Sequence, residues 1–292
     1  MNKYLPLGLC VALAACGSTE APAPAPTAAP AAPAPAPAPA PAATGVAALL
    51  DGAWRAPENA ARDGFRHPVE TLAFFGVEKN MKVLEITPGG GWYAELLAPY
   101  LRDEGKYVGA LIDPASASSD NAKNYYSNSN EKLREKFAAT PDVYDRGELV
   151  EFDLNQPVLG KPESYDVVLT FRNVHNWMNS GTAAAMFDGF YTALRPGGVL
   201  GVVEHRAAAD VPEGDRSGYL GEAQVIALAE RAGFVLEEKS EINANPADTK
   251  DHPNGVWTLP PSLRLPEGDD GEKYRAIGES DRMTLRFRKS SD

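Results

Sequence analysis

The chain has 292 residues, with 40 acidic and 28 basic side chains, so its formal net charge is −12. This acidic composition contains no basic stripe and excludes non-specific nucleic-acid binding, because such binding needs clustered lysine and arginine. The two cysteines, Cys10 and Cys16, both stand near the start of the chain. The rest of the sequence therefore predicts a domain stabilised by its core, without a disulfide or a cysteine metal site.

The first 16 residues are organised like an export signal. Lys3 precedes an apolar run over residues 5–15 that is too short to span a membrane. Residues 13–16 read LAAC, which resembles a bacterial lipoprotein signal, in which the cysteine is retained and lipidated. The resemblance implies a lipid anchor at Cys16 and a location in the bacterial cell envelope, on the periplasmic face of the outer membrane. An ordinary signal peptide with an incidental cysteine is the alternative.

Residues 17–45 are rich in proline and alanine and predict a tether. Alternating proline blocks helix formation and removes hydrogen-bond donors, so polyproline II is the expected conformation. At ~3.1 Å per residue, residues 21–43 would reach roughly 70 Å. Such a spacer suits a globular domain, here residues 46–292, that is held away from a membrane. A ligand for a proline-binding module is the alternative.

Beyond the tether the sequence alternates between helix-like and strand-like segments. Helices are expected within residues 45–76, 92–101, 121–139, 183–194 and 222–233, and strands over residues 81–86, 106–113, 148–154, 165–171, 198–205, 234–242 and 283–289. This alternation predicts a doubly wound α/β fold with a mostly parallel, seven-stranded sheet covered on both faces. The last two strands have no predicted helix between them, which favours a final antiparallel strand. A ligand is expected beyond the carboxyl ends of the strands.

A glycine-rich turn follows the first strand. Residues 89–94 read GGGWYA and fit the pattern G-x-G-x-x-G/A, so a dinucleotide cofactor has to be considered. Three carboxylates add a second pattern: Glu85 lies within the first strand, and Asp113 and Asp153 end the second and third strands. Each aspartate could also simply cap a loop. The ordered set on successive strands is more specific than any one of its members.

Together, these features resemble the class I S-adenosylmethionine-dependent methyltransferases, which have a Rossmann-like fold. The resemblance covers residues 45–292 and is closest to a predicted bacterial group with PGGGWY after the first strand and ESDRM before the last, here residues 88–93 and 279–283. It implies that the cofactor is bound by the six positions that match the family's motifs. These are Glu85, Thr87, Gly89 and Gly91 in the cofactor loop, Asp113 at the ribose and Asp153 near the adenine.

One position departs from the family pattern. Thr87 stands where the family usually has its first glycine. A threonine does not easily adopt a positive φ angle. We therefore expect either a different turn here or a turn that does not need a positive φ at this residue.

The residues after the fourth strand are candidates for the chemistry, because the family places substrate-facing residues there. Arg172 and Asn173 put a charge and an amide where the strand leaves the core, and Trp177 could form a pocket wall. His175 is the candidate general base, since an imidazole can accept a proton near neutral pH. In the alternative interpretation Asn173 satisfies loop backbone and His175 is a surface residue.

Two further regions could reach the same cavity. Glu204 and His205 follow the fifth strand and make a metal site conceivable, but no further ligands have suitable spacing, so no metal is predicted. Residues 242–280 stand between the last two strands, where the family often inserts a substrate lid. Trp257 in this segment and Arg282 just after it are candidate pocket residues.

The first functional expectation is an S-adenosylmethionine-dependent methyltransferase that acts on a small molecule and is tethered to the cell envelope. Export conflicts with this expectation, because S-adenosylmethionine is made in the cytoplasm. A non-catalytic envelope binding protein on the same fold is the second candidate. An NAD-dependent reductase is the third, disfavoured by Glu85 and the antiparallel last strand. The sequence predicts neither the acceptor atom nor the oligomeric state.

Overall fold

The computed structural model of the chain describes residues 45–291. The predicted signal peptide, the lipidated Cys16 and the tether, apart from Gly45, lie outside the described residues. Within residues 45–291, no helix combines the length and the apolar character that crossing a membrane requires.

The core of the structure is one seven-stranded sheet. Its strands are β1 (Lys82–Ile86), β2 (Lys106–Ile112), β3 (Glu148–Phe152), β4 (Tyr165–Phe171), β5 (Leu194–His205), β6 (Phe234–Ser240) and β7 (Arg282–Lys289). The strand order is β3-β2-β1-β4-β5-β7-β6, and β7 runs antiparallel to both β5 and β6 while the other pairs are parallel. The predicted doubly wound fold with an antiparallel last strand is confirmed.

Ten α-helices surround the sheet. They are α1 (Pro57–Ala60), α2 (Asp63–Arg66), α3 (Pro68–Phe74), α4 (Ala94–Leu101), α5 (Asp120–Ala139), α6 (Pro141–Tyr144), α7 (Val174–Ser180), α8 (Ala183–Ala193), α9 (Glu222–Arg231) and α10 (Glu272–Ile277). This count refers to residues 45–291. Short 3₁₀ helices cover Gly45–Leu49, Pro114–Ser116 and Gly255–Thr258.

Apolar side chains of the strands alternate between two cores, one on each face of the sheet. In β1, Leu84 and Ile86 contribute to the core beneath α8 and α9, whereas Val83 contributes to the core beneath α3 and α4. In β4, Val168 faces the first core and Leu169 the second. Burial on both faces explains why these strands are continuous apolar runs in the sequence.

Helix α7 was not expected from the sequence. Its residues include β-branched and polar side chains of modest helix propensity. Tertiary contacts compensate, because Val174 and Trp177 stand three positions apart and are both buried in the core. Gly181 ends the helix in the left-handed conformation, with φ of 73°. His175 therefore lies on the first turn of a helix and not in a loop.

The segment between β6 and β7 also contains more helix than expected. The 3₁₀ helix Gly255–Thr258 and α10 both lie in it, although the prediction placed no helix between the last two strands. These elements are short, and residues 242–280 are rich in proline, aspartate and glycine, which hides the helical periodicity. The antiparallel pairing of β6 with β7 is unaffected.

Candidate active site

A cavity of about 620 Å³ opens at the carboxyl ends of the central strands. Its wall combines the turn after β1, the residues that follow β4 and β5, the N-terminal helices and the segment before β7. Six of the predicted site residues line this single cavity: Glu85, Thr87, Gly89, Arg172, Asn173 and His175. Gly91, Asp113 and Asp153 are not among its lining residues.

The turn after β1 has positive φ angles at three positions, and one of these positions is a threonine. Thr87 has φ of 52°, and Gly89 and Gly91 have φ of 57° and 78°. A β-branched residue in this region is strained by about 1–3 kcal/mol. The expected alternative, a turn that avoids positive φ at Thr87, is therefore not what the structure shows. The Thr87 hydroxyl is buried without a hydrogen-bond partner among residues 45–291.

The three glycines of this turn have different roles. A Cβ atom added at Gly89 or at Gly90 would meet no protein atom within 4 Å, so the backbone here faces open cavity. A Cβ atom at Gly91 would lie 2.6 Å from Leu133 Cδ1 of α5. Gly91 thus permits packing between the turn and α5, whereas Gly89 and Gly90 leave backbone accessible to a ligand.

Glu85 lies at the base of the cavity. The residue is 2 % exposed, and its carboxylate accepts a hydrogen bond from the Tyr107 hydroxyl at 2.8 Å. Burial raises the pKa of Glu85 to about 7, although the Tyr107 hydrogen bond and the charges of Arg66 and Arg172 act in the opposite direction. The group therefore changes its charge near neutral pH.

Asp113 and Asp153 end the neighbouring strands β2 and β3, as predicted, and each caps a turn. Oδ1 of Asp113 accepts a hydrogen bond from the backbone N–H of Ala115 at 2.9 Å. Oδ1 of Asp153 accepts one from the backbone N–H of Asn155 at 2.7 Å. These contacts agree with the alternative in which each aspartate caps a loop. The proposed roles of Asp113 at the ribose and Asp153 near the adenine remain predictions.

The two residues that follow β4 have distinct surroundings. Asn173 donates from its side-chain amide to the Ile86 carbonyl at 3.1 Å and to Thr170 Oγ1 at 3.2 Å, so it ties the ends of β1 and β4 together. Arg172 has φ of 62° and lines the cavity. Burial and the charge of Arg282 lower the pKa of Arg172 to about 10.

His175 pairs with a buried carboxylate that the sequence did not link to it. Its Nδ1 lies 3.0 Å from Oε1 of Glu204, and Oε2 of Glu204 accepts from the His175 backbone N–H at 3.3 Å. Glu204 is 0 % exposed and His175 is 5 % exposed. With Nδ1 bonded to the carboxylate, Nε2 is the nitrogen left to accept a proton. This is the arrangement of a general base with an orienting carboxylate.

His205 completes a buried group with His175 and Glu204. The possible ligand atoms of these three residues lie within 4.8 Å of one another, so the fold supplies a third ligand that sequence spacing did not reveal. Burial lowers the pKa of His205 well below its ordinary value, and the charges of His175, Arg282, Arg172 and Arg66 lower it further. The expectation that no metal is bound here stays a prediction, because this buried group is of a kind that could hold a metal ion.

Two candidates from the segment around β7 also line the cavity. The Trp257 ring lies edge-on to His175, with 6.1 Å between the ring centroids. Arg282 is 2 % exposed and forms an ion pair with Glu279. Both residues line the cavity, as expected of pocket residues, and the substrate lid over residues 242–280 stays a prediction.

Sequence reasoning missed two arginines of the N-terminal helices. Arg62 and Arg66 line the cavity and reach Glu279, with Nε–carboxylate distances of 2.5 Å and 3.6 Å. Burial would raise the pKa of Glu279, but the charges of Arg282 and Arg66 and the hydrogen bond from Arg62 outweigh it and lower the pKa to about 2. The one sequence signal for this ion-pair group was the ESDRM stretch, in which Glu279 and Arg282 stand three residues apart. It does not point to Arg62 or Arg66.

Several solved structures of other proteins are similar to this chain. The [4+2]-cyclase SpnF is 15 % identical over 83 % of this chain and 86 % of its own, with a TM-score of 0.55. An S-adenosylmethionine-dependent methyltransferase from Aquifex aeolicus is 16 % identical over 63 % of this chain and 87 % of its own, with a TM-score of 0.49. Another S-adenosylmethionine-dependent methyltransferase, from Methanosarcina mazei, is 12 % identical over 76 % of this chain and 97 % of its own, also with a TM-score of 0.49.

No family model and no curated protein sequence matches the chain. At the identities of the solved structures the likeness shows the fold alone, which is the Rossmann-like methyltransferase fold with its antiparallel β7. Because one fold can host unrelated activities, the function has to be argued from the cavity.

The pKa of Glu85 predicts a pH-dependent stability that Glu85→Gln should remove. The folded-state pKa of about 7 lies above the ordinary 4.5, so between these pH values the folded chain holds a proton that the unfolded chain has released. The parent therefore loses stability as pH rises from 4.5 to 7. Relative to the parent, the Gln variant should gain roughly 3 kcal/mol across this range in denaturant titrations. A difference that stays flat with pH would contradict the buried, protonated Glu85.

Proposed function

We propose that the chain is an S-adenosylmethionine-dependent methyltransferase that acts on a small-molecule acceptor. One observation supports the proposal most: the glycine turn and His175, which is paired with the buried Glu204, line the same cavity. A methyl donor at the turn and an acceptor near the imidazole would then share one chamber. Such sharing is what an in-line transfer needs, because the reacting atoms must be held aligned.

The residues at the turn fit the cofactor. Gly89 and Gly90 leave open space beside the backbone, and the Thr87 hydroxyl is a buried polar atom without a partner in the described chain. We infer that these residues and Glu85 hold the methionine end, with Asp113 and Asp153 serving the ribose and adenine. When bound, S-adenosylmethionine supplies an electrophilic methyl group.

The chain's own residues would prepare the acceptor. His175 Nε2 takes the acceptor proton while the Glu204 carboxylate fixes the ring and stabilises the resulting positive charge. Asn173 acts by positioning, because its amide joins the carbonyl end of β1 to β4. Trp257, beside the imidazole, would cover the acceptor and exclude water.

We further propose that a lipid on Cys16 and the proline-rich segment tether this domain to the cell envelope. The proposal rests on the LAAC motif and on the composition of residues 17–45. Export away from the source of S-adenosylmethionine favours a second candidate, an envelope binding protein that keeps the fold without catalysis. Such a protein would bind ligand in the cavity and give no methyl transfer.

Gly90→Val should weaken cofactor binding without unfolding the protein. The residue has no positive φ, and a side chain there would project into open cavity, so the change fills ligand space without internal clashes. Calorimetry should show an affinity for S-adenosylhomocysteine at least tenfold below that of the parent. Gly64→Val, at an exposed site on α2 with the same open surroundings, is the matched control and should bind normally. Equal binding by Gly90→Val, or tight binding of NADH by the parent, would contradict the proposed cofactor.

Replacing His175 should impair turnover and leave cofactor binding intact. Loss of a general base typically lowers the rate by ~10²–10⁴, measured as transfer of a radiolabelled methyl group to candidate acceptors. His175→Gln can still form a hydrogen bond but cannot accept a proton, so it should be as inactive as His175→Ala. Activity retained in the Gln variant would assign a positioning role instead, and full activity in the Ala variant would remove His175 from the mechanism.

Cys16→Ser should prevent lipidation and processing, so the chain should leave the membrane fraction when cells are fractionated. The unchanged parent is expected in that fraction at its mature size. A variant that stays membrane-bound at mature size would exclude the proposed anchor.

A further inference from the structure

We propose that the acceptor, if the chain is the methyltransferase proposed above, carries an oxyanion such as a phosphate or carboxylate, and that Arg66, Arg172 and Arg282 bind it inside the cavity. With Arg62 these residues form what we call the arginine cluster. All four side chains line the cavity, although they come from α2 and its N-terminal cap, the end of β4 and the start of β7.

The arginine cluster contains more positive charge than its protein contacts compensate. Glu279 is the carboxylate that forms ion pairs with the cluster among residues 45–291, and it contacts Arg62, Arg66 and Arg282. Arg172 has no ion-pair partner within 4.0 Å in that range. Four guanidinium groups thus face one carboxylate, and counting Glu85 as ionised still leaves a surplus of two positive charges.

Arg66 shows the lack of compensation most clearly. Its side chain is 3 % exposed, yet its Nε has no hydrogen-bond partner in the described chain and lies 3.6 Å from Glu279. Its guanidinium lies over the Trp92 ring, 4.5 Å from the centroid. Burial and the charge of Arg172 lower the pKa of Arg66 well below its ordinary value. A buried guanidinium with unused donors is costly, and an incoming oxyanion would satisfy it.

Glu279 organises the arginine cluster without neutralising it. Its two oxygens are occupied by Arg62 and Arg282, and Arg282 also donates to the Phe65 carbonyl at 3.0 Å. The Nε of Arg282 remains buried and without a partner in the described residues. Arg62 and Arg282 are therefore held in position by Glu279, and each keeps a donor without a partner in the described residues, which is preorganisation of the kind that an oxyanion site needs.

The position of the arginine cluster favours the acceptor over the cofactor as its anion. The methionine carboxylate of S-adenosylmethionine would neutralise one charge and leave a surplus. Arg172 is three residues from His175. Arg282 pairs with His205 across β5 and β7, and the His205 ring lies 5.4 Å from the His175 ring, centroid to centroid. The surplus thus extends to the side of the cavity that holds the proposed base.

The test uses inorganic phosphate as the probe, at constant ionic strength against chloride. Phosphate at a hundredfold excess over its Kd should raise the Tm of the full-length protein by about 5–10 °C. Arg172→Met should lose this rise while its own Tm in chloride stays equal to that of the parent or increases, because a positive charge without an ion-pair partner has been removed from the cavity. Arg172→Lys keeps the charge without the planar fork and should show a reduced rise. Arg134→Met, on the exposed face of α5, is the charge-matched control and should respond like the parent.

A second arm distinguishes the acceptor from the cofactor carboxylate. Phosphate should still stabilise protein saturated with S-adenosylhomocysteine, and Arg172→Met should bind S-adenosylhomocysteine like the parent. The proposal is wrong, and the arginine cluster binds the cofactor, if two results are obtained together. S-adenosylhomocysteine would abolish the phosphate effect. Arg172→Met would weaken the binding of S-adenosylhomocysteine but not the binding of methylthioadenosine, which lacks the carboxylate. The protein could instead bind neither S-adenosylhomocysteine nor methylthioadenosine and still show a phosphate effect that depends on Arg172. That result would support the oxyanion site and contradict the proposed methyltransferase function. No phosphate effect in the parent would overturn the site itself.

Discussion

A single buried carboxylate, that of Glu279, connects the parts of the chain that enclose the cavity. It contacts Arg62 and Arg66 from the N-terminal helices and Arg282 at the start of β7. Arg62 and Glu279 are 217 residues apart in the sequence. Guanidinium groups buried side by side need a negative charge, since desolvation removes the screening that water provides. Glu279 therefore ties the N-terminal helices to Arg282 of the antiparallel β7, the strand that also distinguishes this fold from a simple parallel sheet.

The other wall of the cavity is held by backbone strain and a side-chain brace. Thr87 keeps a positive φ that a threonine adopts only under constraint, and its N–H donates to the Ala110 carbonyl of β2 at 2.8 Å. Asn173 holds the Ile86 carbonyl directly before it. Strain of this kind persists where the surrounding structure over-determines it, and it is common in ligand-binding turns. The chain's own contacts therefore hold the turn, which reduces the ordering cost of binding.

The strands could be predicted because burial on both faces makes them apolar runs, and the glycine turn could be predicted because positive φ restricts residue choice. The contacts within the site could not. His175 and Glu204 are 29 residues apart, and they meet only because β4 and β5 are neighbours and because α7 forms through the burial of Trp177. Arg66 lies in a short helix, where an arginine usually indicates solvent exposure. Its burial follows from the packing of that helix against Trp92 and Glu279 and leaves no periodic signal.

The cavity has the opposite charge to the chain as a whole. A formal net charge of −12 repels anions at long range, so an acidic exterior would not concentrate an anionic acceptor by steering. Screening by physiological salt confines that repulsion to about 8 Å. Inside the cavity the guanidinium groups are shielded from solvent, and their attraction for an oxyanion is correspondingly stronger. The anionic acceptor would therefore be selected within the cavity, by the geometry of the guanidinium donors and by its fit. Such selection suits a site that must hold a small acceptor in place beside the imidazole of His175.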